Sequence, residues 1–298
     1  MIDGFHSNWT KPFFRIDKNR NYYIEDFEIL TTMLSALKWR EKNGNIKMIT
    51  DKIGAKYYKK LGMESIWNLG IDDSLENYID KDIDSNIFWA AGKIYALKSQ
   101  IVPCVMIDTD FIVWESLKDE LLGKEICAIH KENISSEVYP DKSKFNMKNS
   151  YRFDDELNWE VLPSNTALTY INNDNFKNYY VNSSIEFMKG LSSSNDRLIN
   201  MVFAEQRLFS MCAKKMNIKG YELMNLEKLT SGKQIYFTHI WGYKDVMKKD
   251  FKKRIEFCIK CINRIIKDFP EYEEVIANIN SLKYYYNLSK ENSNIKLI

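Results

Sequence analysis

Two aspartates one residue apart, Asp108 and Asp110, close the segment CVMIDTD, the end of one of the most apolar runs in a chain of 298 residues. A carboxylate delivered by a buried strand needs hydrogen bonds, a cation or a metal to offset its charge. Along an extended chain, residues i and i+2 face the same side, so both carboxylates can address one divalent ion. Hard oxygen ligands suit Mg2+ or Mn2+, and such ions complete their shells with substrate phosphates. The same spacing recurs at Asp80-Lys81-Asp82 and Asp82-Ile83-Asp84, but in a polar stretch with no apolar strand before it, where solvated turn charges are expected. The three histidines, His6, His130 and His239, each stand at or near the end of a predicted strand. Neutral imidazole is a good manganese ligand beside two carboxylates, which makes His239 the third candidate ligand; a hydrogen-bonded structural histidine is the competing reading at each position.

Short apolar runs alternate with helical patterns in the first half of the chain, which predicts an α/β layered domain. IDGFH, NIKMITD, VPCVMID, EICAIH, ALTYINN and QIYFTHI read as strands. VPCVMID is nearly continuous in apolar residues, as a strand covered on both faces would be. YIEDFEILTTMLSALKWREKNG, KIGAKYYKKLGM, SNIFWAAGKIYALKSQ and NDRLINMVFAEQRLFSMCAKKM read as helices, the first stopped by Gly44 and the third capped by Ser85. Residues 131–152 are polar and loop-like. In an open α/β sheet, ligands gather at the carboxyl ends of the strands, and Asp108 and Asp110 occupy such an end.

With 45% hydrophobic and 28% charged residues, the composition is that of a soluble globular protein. The balance of 43 Lys plus Arg against 41 Asp plus Glu gives no bulk electrostatic reason to expect a nucleic-acid partner. Five dispersed cysteines do not make a disulfide framework and fit a reducing compartment; the Cys258/Cys261 pair reads as small apolar residues on a helix face. MIDGFHSNW lacks a signal-peptide pattern, and no apolar run approaches the ~18 residues of a membrane span, so a cytoplasmic protein is expected.

The strand form hhhhDxD, followed by FIVWESL, resembles the metal-binding strand end of nucleotide-sugar glycosyltransferases with the GT-A fold. Three further stretches carry the resemblance. SNTALTYINND is similar to the NAG-type segment of the retaining family 8 and related transferases, with Asn165 at the asparagine and Ala167 where the second glycine stands. AEQRLF is similar to their DQ segment, with Glu205 and Gln206 in the two places. THIWGYKD looks like the HxxG part of their C-terminal motif, with His239 and Gly242 matching and Lys244 one place earlier than the expected lysine.

The resemblance implies a single GT-A-like, Rossmann-type domain over residues 1–245, with a mixed, mostly parallel sheet flanked by helices, and a C-terminal helical extension over residues 246–298. It implies a metal-dependent hexosyltransferase that moves a sugar from a nucleotide-diphosphate sugar, a UDP-sugar first, to a glycan, lipid-linked or protein acceptor with retention. Asp108, Asp110 and His239 would hold Mn2+ or Mg2+, and Asp108 could instead meet the ribose. Lys244 and Gly242 would face the diphosphate, while Asn165, Glu205 and Gln206 would face the transferred sugar, Glu205 as base or electrostatic stabiliser. His6 and Trp9 at the first strand end, Asp51 at the second and Lys93 on a helix are further candidates for donor contacts.

Two alternatives stand beside this reading. A noncatalytic GT-A-like module would keep the fold to bind a sugar or a partner. A DxD phosphohydrolase of the haloacid dehalogenase type fits less well, because Ile112 and the late position of the motif both depart from that pattern. A nucleotidyltransferase of related fold would want a glycine-rich phosphate loop that GFHSNWTKP does not supply. Beyond Lys244, Met247, Phe251, Ile255, Cys258, Ile259, Ile262 and Ile266 make one helical face and lysines fill much of the rest. Such a helix either packs on the domain or docks on an anionic membrane, the inner membrane face, or a partner.

Overall fold

The computed structural model describes residues 2–291 apart from Ile16, Asn195 and Lys233. Strands β1 (Asp3–Asn8), β2 (Ile46–Thr50), β3 (Ile71–Asp72), β4 (Cys104–Ile107), β5 (Phe111–Val113), β6 (Ile126–Ala128), β7 (Leu168–Ile171), β8 (Gly220–Glu222) and β9 (Phe237–His239) form two sheets. The larger runs β3-β2-β1-β4-β7-β6-β8 and the smaller pairs β5 with β9. Pairings among β1 to β4 and between β6 and β8 are parallel, while β7 lies antiparallel to both β4 and β6. This is the mixed, mostly parallel α/β sheet expected of a GT-A-like domain.

Helices α1 (Asp26–Lys42), α2 (Lys52–Lys60), α3 (Leu75–Tyr78), α4 (Ala91–Lys98), α5 (Lys118–Leu121), α6 (Asp174–Gly190), α7 (Arg197–Val202), α8 (Leu208–Lys215) and α9 (Leu226–Thr230) flank the sheet. After β9 come α10 (Tyr243–Lys249), α11 (Phe251–Asp268), α12 (Glu273–Asn278) and α13 (Lys283–Glu291). Every residue of β4 is buried, as its unbroken apolar run requires of a strand with helices on both faces. One face packs on Phe27, Leu30, Leu34 and Trp39 of α1, and the other on Ile94, Tyr95, Phe176 and Tyr180 of α4 and α6.

Two expectations change. The helix read from Ser85 begins only at Ala91, because Asp84 to Ala90 form turns, with Asp84 accepting from Ile87 and Phe88. The long helix around AEQRLF is interrupted by a π-turn at Phe203–Arg207, which re-aims its side chains. Of the readings open for the C-terminal helix, packing on the domain is seen: Cys258, Cys261, Ile262 and Ile265 of α11 are buried within the core built around α1, reached also by Leu282 and Tyr285, and Ile259 is buried as well. Asp26 anchors this packing, accepting both oxygens' worth of hydrogen bonds from Arg254 Nε at 2.9 and 3.1 Å and one from the Tyr285 hydroxyl at 2.5 Å. Among the described residues no helix is long and apolar enough to cross a membrane.

Candidate functional site

β4 ends at Ile107, and the chain turns at once. Asp108 N–H donates to Ala167 O at 2.7 Å, and Phe111 N–H donates back to Asp108 O at 2.9 Å. The two aspartates are therefore aligned by this turn and not by strand alternation. After it, β5 pairs antiparallel with β9, so that Phe111 stands opposite His239, and Ile240 N–H closes onto Asp110 O at 3.4 Å. This short ribbon brings His239 back to the strand end from 129 residues further along the sequence. One ligand atom from each of Asp108, Asp110 and His239 lies within 4.8 Å of the others. His239 Nε2 is 3.8 Å from Asp110 Oδ1.

Lysines partner both aspartates. Lys93 Nζ on α4 is 2.6 Å from Asp108 Oδ1 and also pairs with Glu205 Oε1. Lys244 Nζ on α10 is 2.9 Å from Asp110 Oδ2 and 3.4 Å from Glu28 Oε1 on α1. Burial pushes Asp108 up to about 7 against the pull of Lys93, with Glu205 and Asp110 adding to the rise. At Asp110 burial acts in the same direction but is outweighed, chiefly by Lys244, so that its carboxyl lies below the usual range. Burial lowers His239 in spite of Asp110, so its ring is neutral and has a lone pair to give. Three carboxylates thus share two ammonium groups in a desolvated pocket, and the donor set of two carboxylates and a neutral imidazole fits a hard divalent cation.

The site opens into a cavity of about 500 Å3. Its charged wall carries Asp108, Asp110, Glu205, His239 and Lys244, and its apolar wall includes Trp89, Leu198, Met201, Val202 and Trp241. Glu205 and Gln206 reach it from the π-turn. The Glu205 carboxylate accepts from Thr166 Oγ1 at 2.9 Å as well as from Lys93, and its carbonyl accepts from Tyr180 OH at 2.6 Å. Gln206 Oε1 accepts from Tyr139 OH, which leaves the amide N–H groups to point elsewhere. Asn165 donates to Glu132 Oε1 at 2.9 Å, and its Oδ1 accepts from Ala167 N–H at 3.2 Å.

Asp108, Asp110, His239, Lys244, Asn165, Glu205 and Gln206 therefore converge on one cavity, with Lys93 directly behind. Three sequence candidates stand elsewhere. His6 is fully buried, its Nδ1 accepting from Trp67 Nε1 at 3.2 Å and its Nε2 2.9 Å from Ser35 Oγ, so neither ring nitrogen is available to a donor molecule. Asp51 caps α2 through Gly54 N–H and is held by Thr10, a structural use that satisfies both oxygens. Trp9 is only 7% exposed and packs against Gly92, where a Cβ would come within 2.7 Å of it. Gly242 caps the start of α10 between two cavity residues, Trp241 and Lys244, with no protein atom near the place a Cβ would take. Sequence reasoning missed Tyr139, Thr166, Glu132 and Trp241. Trp241 lies between the histidine and the glycine of THIWGYKD and is 77% exposed, a signal that was present in the motif itself.

A family model described as a family of unknown function, DUF6734, matches residues 4–279. The chain belongs to this family. No curated protein sequence matches it. Among solved structures, the apo form of mouse xyloside xylosyltransferase 1 is similar at 10% identity and a TM-score of 0.38, over 75% of this chain and 85% of that one. The glycosyltransferase GlyE of Streptococcus pneumoniae TIGR4 is similar at 13% identity and a TM-score of 0.35, over 77% of this chain but only 46% of its own length. A nucleoside-diphosphate-sugar pyrophosphorylase of Vibrio cholerae RC9 is similar at 10% identity and a TM-score of 0.36, over 76% of this chain and 93% of that one. The chemistry of the DUF6734 site rests on its own side chains.

Proposed function

We propose that this protein is a metal-dependent glycosyltransferase that takes a nucleotide-diphosphate sugar, a UDP-sugar first among them, and transfers the sugar to an acceptor with retention. The observation that carries the reading is the meeting of Asp108, Asp110 and His239 beside Lys244 at the mouth of a 500 Å3 cavity. Bound there, Mn2+ or Mg2+ would supply Lewis-acid neutralisation of the departing diphosphate. Lys244 would add a positive charge on the same side, against the charge that grows as the sugar–phosphate bond breaks. Gln206, its amide oxygen engaged by Tyr139, would present oriented N–H donors to sugar hydroxyls, and Asn165, which already donates one N–H to Glu132, would offer the other. Glu205, whose Oε1 takes both Lys93 and Thr166, keeps Oε2 for a substrate and would act as base or place negative charge near a developing oxocarbenium ion. The apolar wall with Trp89 and Trp241 is left for the acceptor, because an exposed indole stacks well on the apolar face of a sugar ring.

The test is binding and turnover together. UDP with Mn2+ should raise the melting temperature, consistent with about 2.7 kcal/mol of linkage stabilisation at a hundredfold excess over Kd. Slow Mn2+-dependent hydrolysis of one member of a UDP-sugar panel should accompany it, and both should vanish in Asp110→Ala. Tight donor binding without hydrolysis or transfer on any acceptor would replace the enzyme by a binding module. Metal-dependent release of phosphate from simple phosphoesters would replace it by a hydrolase.

A further inference from the structure

The two lysines at the site have the same unusual disposition. Each is shared between one aspartate of the triad and one carboxylate outside it: Lys93 between Asp108 and Glu205, Lys244 between Asp110 and Glu28. Both outer carboxylates are fixed. Glu205 is held by Thr166, and Glu28 accepts from Glu25 N–H through Oε2 at 3.1 Å. Each ammonium therefore has a resting place to which it can retreat without crossing the cavity. While they remain on the aspartates, these lysines cancel the charge that would attract a cation, and they present two positive charges to it at contact range.

Resting on the glycosyltransferase reading above, we infer that Lys93 and Lys244 are positioning cations that make the site reject a bare divalent ion and accept the ion only together with a diphosphate anion. A divalent cation entering alone gains carboxylates already neutralised and meets both ammonium groups. A diphosphate entering alone meets Asp108, Asp110 and Glu205. Together they are complementary: the cation takes the aspartates and His239, and the released lysines face the anion. Glu28 and Glu205 set how easily the lysines let go. By linkage, each ligand strengthens the other by the same factor.

The experiment is titration of Mn2+ by calorimetry, with the loss of the free-Mn2+ electron paramagnetic resonance signal as a second readout, in the absence and presence of saturating UDP. In the wild-type protein UDP should tighten Mn2+ binding by about tenfold or more, the size of a typical coupling between sites. Lys244→Met should bind Mn2+ alone at least about tenfold more tightly than wild type and lose most of that coupling. Glu28→Gln, which keeps the acceptor for Glu25 N–H but removes the resting charge, should shift Mn2+ binding in the opposite direction and weaken it. Equal Mn2+ affinity with and without UDP, or movement of both variants in the same direction, would overturn the inference while leaving the transferase reading intact. Binding of neither Mn2+ nor Mn2+ with UDP by the folded wild-type protein would remove both.

Discussion

His6 offers a test of the fold that can be worked out from its surroundings. Its ring is wholly buried between β1 and α1 in a chain of hydrogen bonds: the Trp67 indole N–H donates to Nδ1, Nε2–H donates to Ser35 Oγ, and the Ser35 hydroxyl donates to Phe111 O at 2.5 Å. Nδ1 must be bare to accept from the indole, so the neutral tautomer is the only one the network tolerates. Burial accordingly lowers the ring from 6.5 to about 3, with Asp110 opposing only in part. The sign follows directly. A histidine depressed in the folded state is neutral in both states above pH 6.5, so it imposes no acid-linked loss there; below that pH the unfolded chain takes up the proton and the folded one does not. Stability is therefore lost progressively as pH falls from about 6.5 towards about 3.

At pH 5 the unfolded-state histidine gains RT ln(1 + 10^1.5), about 2 kcal/mol, while the folded ring remains neutral. Asp108, raised to about 7, works in the opposite direction, since the folded chain binds that proton first as pH falls through 7; the wild-type curve alone would thus conceal the effect. The measurement is urea unfolding of wild type and His6→Gln at pH 7.5 and pH 5.0 at constant ionic strength. Whatever gap separates the two proteins at pH 7.5 should move by about 2 kcal/mol in favour of the variant at pH 5.0. A gap that stays constant within about 0.5 kcal/mol would refute the neutral, buried assignment.

Two further perturbations probe the packing. Asp26→Ala strips Arg254 and Tyr285 of a shared partner; Arg254 keeps Glu25 at 2.7 Å, so the expected cost is about 3 kcal/mol, at the low end for breaking a buried pair, and an unchanged urea midpoint would show that the anchor is dispensable. In Gly4→Ala the new methyl would stand 2.7 Å from Nε1 of the buried Trp39, whose indole donates to Asn45 O at 3.1 Å. A loss of about 1–3 kcal/mol in thermal or urea unfolding is expected, and a variant as stable as wild type would mean that β1 and α1 can separate at no cost.

The sequence was legible where one local signal sufficed. An unbroken apolar run ending in two aspartates marked β4 as the central strand and its tip as the charged end, and the THIWGYKD stretch distinguished His239 from the other two histidines. Signals that depend on long-range pairing were not legible. Lys93 and Glu205 are 112 residues apart, and Lys244 meets Glu28 from across the fold; nothing near either lysine in sequence names its partner. Polar residues at strand ends proved ambiguous for the same reason. His6 and Asp51 have the composition of ligands but are consumed by Trp67, Ser35, Thr10 and the start of α2. The helix α6 escaped notice because Asn, Ser and Lys dilute it, although Phe176, Tyr180, Ser184, Phe187 and Met188 keep the spacing of a buried stripe.

The C-terminal helices bear on the site itself. Lys244 belongs to α10, which is joined directly to α11, and α11 is held to α1 by Arg254 on Asp26. Asp26 is two residues from Glu28, the second partner of Lys244, so one turn of α1 fixes both the anchor and the lysine's resting carboxylate. A division at residue 245 runs through this arrangement: it leaves Lys244 on one side and the buried Cys258, Ile262 and Ile265 that hold its helix in place on the other. The apolar stripe of this segment is thus explained by packing. Its apolar side completes the core under α1, its Arg254 ties it down, and the first lysine of the series is the one that reaches Asp110.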